Sequence, residues 1–217
     1  MQLRINPPLD RVIEYATGFT FTSEDQSVQS RTQCIIAERA TREGRNFRFN
    51  RYVSSVTGEG TGRLKESVAR LKELAGKTFP IVLDPRGRKV KGKLGELGAD
   101  SLSIPNFVPR YPNTIRIGET IESDFVFMDD ISATLREIRS LSPGYAAVFS
   151  LGGQAGERGR VSGTFVVSVQ DGLPLAAEII VNWPATDKSK SRQLRTTHRR
   201  LIVPGLDRLT ADLKLGD

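Results

Sequence analysis

"RVIEYATGFTFTSEDQSVQSRTQCIIAERAT", residues 11–41, reads as a long strand, a polar turn and a long return strand. Tyr15, Thr17, Phe19 and Phe21 share one parity of the first run. Val28, Cys34 and Ile36 share one parity of the second, against Gln29, Arg31 and Gln33 on the other. Period-two alternation marks a strand with one buried face and one wet face. "SEDQ" (23–26) supplies the turn. "REGR" (42–45) turns again, and "NFRFNRYVSSV" (46–56) resumes with Phe47, Phe49 and Val53. Three long strands joined by tight polar turns predict an antiparallel meander.

The period then changes once. "TGRLKESVARLKELAGK" (61–77) spaces Leu64, Val68, Leu71 and Leu74 helically, with Lys65, Glu66, Arg70, Lys72 and Glu73 opposite. Thr61 suits an N-cap and Gly76 a stop. A single apolar stripe predicts a helix lying against a sheet. "KTFPIVLD" (77–84), "DPRG" (84–87) and "RKVKGKL" (88–94) follow as strand, turn and strand. Here Lys89, Lys91 and Lys93 share one face, and Val90 and Leu94 the other.

Residues 95–118 are the least periodic part. Pro105, Pro109 and Pro112 disfavour a helix or a central strand. We expect a long ordered connection here, with a short helical turn near Leu97 and a possible subdomain junction. Its apolar groups Ile104, Phe107, Val108 and Tyr111 suit docking onto the body, or a lid. The second half is another meander: 120–130, 131–142, 144–153, 160–170, 173–183 and 192–203. "DG" (171–172) is a hairpin signal within it, and the tail from Gly205 reads as weak helix or disorder. The expected fold is a mainly β, β-rich α+β single domain over 1–217. It is a large curved antiparallel sheet or half-barrel of about ten strands, packed on one main amphipathic helix.

Composition narrows the chemistry. The chain has 217 residues, one cysteine and one histidine, with a net charge of +7. Cys34 can form no internal disulfide and reads as a buried thiol. One Cys and one His cannot supply the usual ligands of a structural zinc site, so no metal site is expected. No apolar run reaches the length of a membrane helix. No Gly-x-Ser-x-Gly elbow occurs. "GEGTGRLK" (58–65) lacks the ending of a phosphate loop, and "GGQAGERG" (152–159) precedes a strand, which disfavours a dinucleotide fingerprint. Asp129 and Asp130, with Asp124 nearby, lack calcium-loop spacing and read as a turn. No catalytic set and no cofactor is expected.

The positive signal is basic. Arg86 to Lys93 forms one cluster, and "KSKSRQLRTTHRR" another, with Lys188, Lys190, Arg192, Arg195, Arg199 and Arg200. A third runs through Arg39, Arg42, Arg45, Arg48 and Arg51. Neither basic run interleaves the aromatics that single-stranded nucleic acid would stack on, so nucleic acid is disfavoured. Anionic lipid or an acidic envelope polymer fits better.

The order "LRIN" strand, helix, strand–"LDPRGRKV" hairpin, "TIRIGETIE" (114–122) and "SGTFVVSVQDGLPLAAEI" (162–179) resembles an uncharacterised family of exported, β-rich bacterial domains, often lipoproteins. It is also similar to the half-barrels of lipoprotein carriers and of mycobacterial-type lipid-binding lipoproteins. In these a curved sheet wraps helices around an apolar cavity. The chain departs from them in having one clear helix and no lipobox cysteine. The resemblance implies an extracytoplasmic, non-enzymatic domain, of the periplasm or cell envelope, with its export signal outside the present sequence; the residues by themselves fit a cytoplasmic start equally well. It would hold an apolar or amphiphilic ligand (a lipid or lipoprotein) between sheet and helix, in a cavity lined by Phe19, Phe47, Leu64, Val68 and Phe79. The alternative is an interaction module that docks on an acidic partner through Lys89, Lys91, Lys93, Arg195, Arg199 and Arg200.

Overall fold

The computed structural model describes residues 1–9, 11–25, 27–62, 64–91, 110–125, 128–156, 158–186 and 189–215. Among the described residues, eleven strands form one antiparallel sheet. The first meander is β1 (Val12–Ser23), β2 (Gln29–Glu43), β3 (Asn46–Gly60), β4 (Thr78–Leu83) and β5 (Lys89–Lys91). The second is β6 (Thr120–Phe125), β7 (Met128–Ser140), β8 (Tyr145–Ala155), β9 (Gly159–Ser168), β10 (Pro174–Trp183) and β11 (Arg192–Arg200). Helix α1 (Leu64–Lys72) follows β3, and α2 (Leu206–Asp212) follows β11. The spatial order is β5-β4-β3-β2-β1-β11-β10-β9-β8-β7-β6. The last strand therefore pairs with the first, and the sheet is open, with β5 and β6 at its edges.

The alternation read from the sequence is the alternation of burial. In β1, Ile13, Tyr15, Thr17 and Phe19 are buried, while Glu14, Ala16, Gly18 and Thr20 are only half-buried on the other face. Register carries the same face across the sheet, from Phe47 and Phe49 on β3 to Phe149 on β8 and Phe165 on β9. These side chains belong to one apolar core.

That core is closed by irregular chain. Residues 1–9 are not the expected "LRIN" strand. Leu3 and Ile5 are buried in the core, and the adjoining Pro7–Pro8 pair removes two ladder donors. Residues 110–118 lie beside them, with Tyr111 and Ile115 in the same core. The two segments bond to each other through Ile115 N–H to Met1 O and the Met1 amino group to Ile115 O, each 2.9 Å. Adjacent amides of the first segment reach opposite halves of the sheet: Ile5 N–H donates to Pro85 O and Asn6 N–H to Asp171 O. In a flat sheet β4 and β10 would stand about 24 Å apart, five strand spacings. Neighbouring amides hold those two carbonyls within about 10 Å of each other. At this end of the strands the sheet is curled, with the core on its concave face.

Helix α1 fills the place beside β3 that β4 is too short to occupy. Its Leu71, together with Leu74 just beyond it, packs on Val53, with Val56 and Phe79 alongside. The tail is a second helix and not disorder. Leu206 and Leu209 of α2 pack on Ala146, Val148, Val166 and Ala176, on the outer face. Of the two expected readings, weak helix or disorder, the helix forms, although its apolar stripe is only two turns long. Gly58 and Gly60 of the phosphate-loop-like stretch belong to β3, and Asp129 and Asp130 lie within β7 instead of a turn. The expected helical turn near Leu97 and Ile104, Phe107 and Val108 fall outside the described residues.

Close strand packing has a direct test. A Cβ at Gly163 would sit 2.1 Å from the Glu178 carbonyl oxygen, whereas one at Gly152 would meet nothing within 4 Å. Gly163→Ala should lower the free energy of unfolding in urea by about 2 kcal/mol or more, and Gly152→Ala by less than about 0.5 kcal/mol.

Candidate functional site: the polar seam of the concave face

Where β1 meets β11 and β2, polar side chains occupy core-facing positions. Thr17 and His198 are opposite one another, with Thr17 Oγ1 2.8 Å from His198 Nδ1. The His198 ring stacks on Tyr15, centroids 4.7 Å apart. One rung beyond Tyr15, Glu38 faces Arg51 across β2 and β3, and Arg51 Nε donates to Glu38 Oε2 at 2.6 Å. At the near end of β11, Arg200 donates to Asp171 Oδ2 at 2.7 Å, and Tyr111 Oη donates to Gly172 O at 2.8 Å. Both ion pairs are largely buried. Loss of one partner from such a pair strands a charge and costs several kcal/mol.

Burial controls the chemistry of this seam. It drives the His198 pKa down to about 3, with the Arg51 charge adding to the effect, so the ring is neutral. Burial also raises Tyr15 and Tyr111 well above the ordinary tyrosine range, with Glu38 contributing at Tyr15 and Asp171 at both. Cys34 is pushed up to about 11 by desolvation and stays a thiol. A base this weak and a thiol this inert are suited to holding structure, not to proton abstraction or nucleophilic attack near neutrality.

Farther along the same face the character changes. Phe19, Cys34 and Ile36 form a small apolar cluster with Val56. Beside it on β2, Ser30 and Thr32 are buried to 3% and 1% exposure. Ser30 Oγ and Thr32 Oγ1 have no hydrogen-bond partner among the described residues. They face Gly60 and Gly58 of β3, and a Cβ at Gly60 would meet Val68 of α1 at 3.1 Å. Two orphan hydroxyls thus lie between β1, β3 and α1.

The expected ligand-binding residues are spread over several clusters. Phe47 belongs to the main core and Phe19 to the small cluster. Phe79 packs with Leu71 and Val53. Val68 is buried on α1, and Leu64, at its start, is half-buried. The expected anion-binding residues are also divided. Lys89 and Lys91 lie on edge strand β5, five strands from β11, and Lys93 falls outside the described residues. On β11, Arg195 pairs with Glu178, Arg199 with Asp207 and Arg200 with Asp171. Arg200 faces the core, whereas Arg195 and Arg199 share the opposite, outer parity. Sequence reasoning did not single out Thr17, Ser30, Thr32, Glu38 or Asp171. The available signal was a polar residue at an apolar parity, as with Thr17 between Tyr15 and Phe19.

No protein-family model matches the chain, and no curated protein sequence matches it significantly. Among solved structures, it is similar to a chain of "The complex structure of Pseudomonas aeruginosa MucA/MucB", with 14% identity and a TM-score of 0.26. The likeness covers 92% of this chain and 55% of that one, so this chain spans about half its length. A TM-score this low carries nothing about function.

The buried histidine gives a pH signature. Between its ordinary value of 6.5 and its folded value near 3, the unfolded chain binds the proton and the folded chain does not. Stability should therefore fall as pH drops from 6.5 towards 3, by up to about 1.4 kcal/mol per pH unit from this group. His198→Gln should flatten most of that slope in urea titrations at pH 7, 5.5 and 4.

Proposed function

We propose that the chain is a non-enzymatic binding domain of the cell envelope that takes an amphiphilic ligand, a lipid or a lipid-bearing protein, on its concave face. The observation that carries this reading is the pair of orphan hydroxyls, Ser30 Oγ and Thr32 Oγ1, beside the apolar side chains of Phe19 and Val56. Buried hydroxyls without partners are uncommon in native proteins and ask for an explanation. A ligand that places a polar group against them and an apolar remainder on Phe19 would supply both missing bonds. The neutral, deeply buried His198 and Cys34 favour binding over catalysis. Arg195 and Arg199 lie on the outer face and Arg200 on the core face, five strands from Lys89 and Lys91, which counts against a single docking surface for an acidic partner. An extracytoplasmic location is part of the same proposal, and fractionation of cells expressing the native gene tests it.

Native mass spectrometry of freshly purified protein is the direct experiment. A bound lipid should appear as a discrete mass increment, at an occupancy that Thr32→Val lowers. Removal of an unpaired hydroxyl leaves the fold as stable or more so, so the melting temperature should not fall. Protein that carries no lipid, and takes none up from micelles, would overturn the reading.

A further inference from the structure

On the outer face, opposite the core, a second feature stands apart from the reading above. Ala16, Gly18 and Thr20 are the outward residues of β1, and their small side chains leave a trough along the strand. Its floor widens over Ala176 and Thr197, and Thr210 and Leu215 of the C-terminal helix and tail wall one side. The cavity measures about 540 Å³, within the range of small-ligand sites. A Cβ at Gly18 would lie 2.6 Å from Thr197 Oγ1, so a larger residue here would have to displace that hydroxyl.

Register gives this trough a charge pattern. Thr20 is opposite Arg31 on β2 and opposite Arg195 on β11. A hydroxyl therefore stands between two guanidinium-bearing residues in one row across three strands, each step about 5 Å. Ala16, four residues along and about 13 Å away, is opposite Arg199. Two carboxylates face the same trough, and a third, Glu59 on β3, is opposite Arg31. Glu178 accepts from Arg195 Nε, and Asp207 of α2 pairs with Arg199. Arg31 makes no ion pair with a described residue. A single guanidinium fork already satisfies both oxygens of a carboxylate, whereas a phosphate offers three terminal oxygens. Two arginines flanking a hydroxyl suit the larger anion.

We propose that this trough binds a phosphate group, cradled by Arg31, Thr20 and Arg195, with the rest of the ligand lying over Gly18 and Ala16 towards Leu215. The phosphate could belong to a soluble phosphomonoester or to a phospholipid headgroup, and the experiment separates the two. Binding of glycerol 3-phosphate is measured by calorimetry, and binding to phosphatidate vesicles by co-sedimentation, with phosphatidylcholine vesicles as the blank. Saturable binding to either probe is expected, and the one that binds identifies the source. Arg31→Ala should raise Kd roughly tenfold or more, and Ala16→Leu should block the floor. Lys72→Ala, an equal charge loss on exposed α1, should leave Kd within about twofold. Circular dichroism melting of each variant reports folding, and Arg31→Lys keeps the charge where Arg31→Ala does not. Failure of both probes to bind overturns the proposal, as does an equal loss in Arg31→Ala and Lys72→Ala. Neither result bears on the concave face, because no substitution in this set touches it.

Discussion

The ladder between β1 and β11 is the interaction on which the rest of the molecule depends. Nine residue pairs, from Tyr15–Arg200 to Ser23–Arg192, join strands about 180 positions apart in sequence. Without it the chain would be two meanders, each with a bare edge and half a core. With it, Phe49 from the first half and Phe149 from the second enter one apolar cluster. The seam is also where polarity is tolerated inside. The Thr17–His198 bond and the Tyr15 stack span this ladder, so partner choice between the end strands has a specific mark as well as an apolar one. Buried polar contacts of this kind suit register better than raw stability.

The covering segments follow from the same geometry. A curled sheet exposes a concave apolar surface that neither helix among the described residues is long enough to cover. Residues 1–9 and 110–118 do so instead, anchored through Pro85, Arg86 and Asp171 on turns from both halves. Their backbone bonds go to turn carbonyls and to each other, which satisfies buried amides without adding a strand. Helix α1 and helix α2 then take separate positions, one beside β3 and the other on the outer face, so the two faces of the sheet carry different chemistry.

Much of this was legible in the residues. Parity along 11–41 gave two strands and their buried face, and the period change at 61–77 gave α1. The N-terminal segment was misread because "LRIN" has strand-like residues, and only the tertiary partners of Ile5 and Asn6 show why it stays irregular. Helix α2 is so short that the tail reads equally as weak helix or disorder, and only its packing on Val148 and Val166 selects the helix. The site was harder to read than the fold. Thr17, Glu38 and His198 look like interruptions of an alternating pattern until register sets them against Arg51, Tyr15 and one another. Phe19, Phe47 and Phe79 looked equivalent in sequence, yet they fall in three clusters because the sheet distributes them along its width. Arg195 and Arg200 looked like one basic patch, but their difference in parity sends them to opposite faces.

The pairing of first strand with last also sets a condition on synthesis. Until residues 192–200 have left the ribosome, β1 has no partner on one side, and its 12 residues present a long, apolar, unpaired edge. Such an edge is a template for pairing with other chains, and exposure of this kind makes partly folded species prone to aggregate. The chain's vulnerability is therefore concentrated in time, in the interval before its C-terminal strand arrives. A truncation after β10 would make that interval permanent.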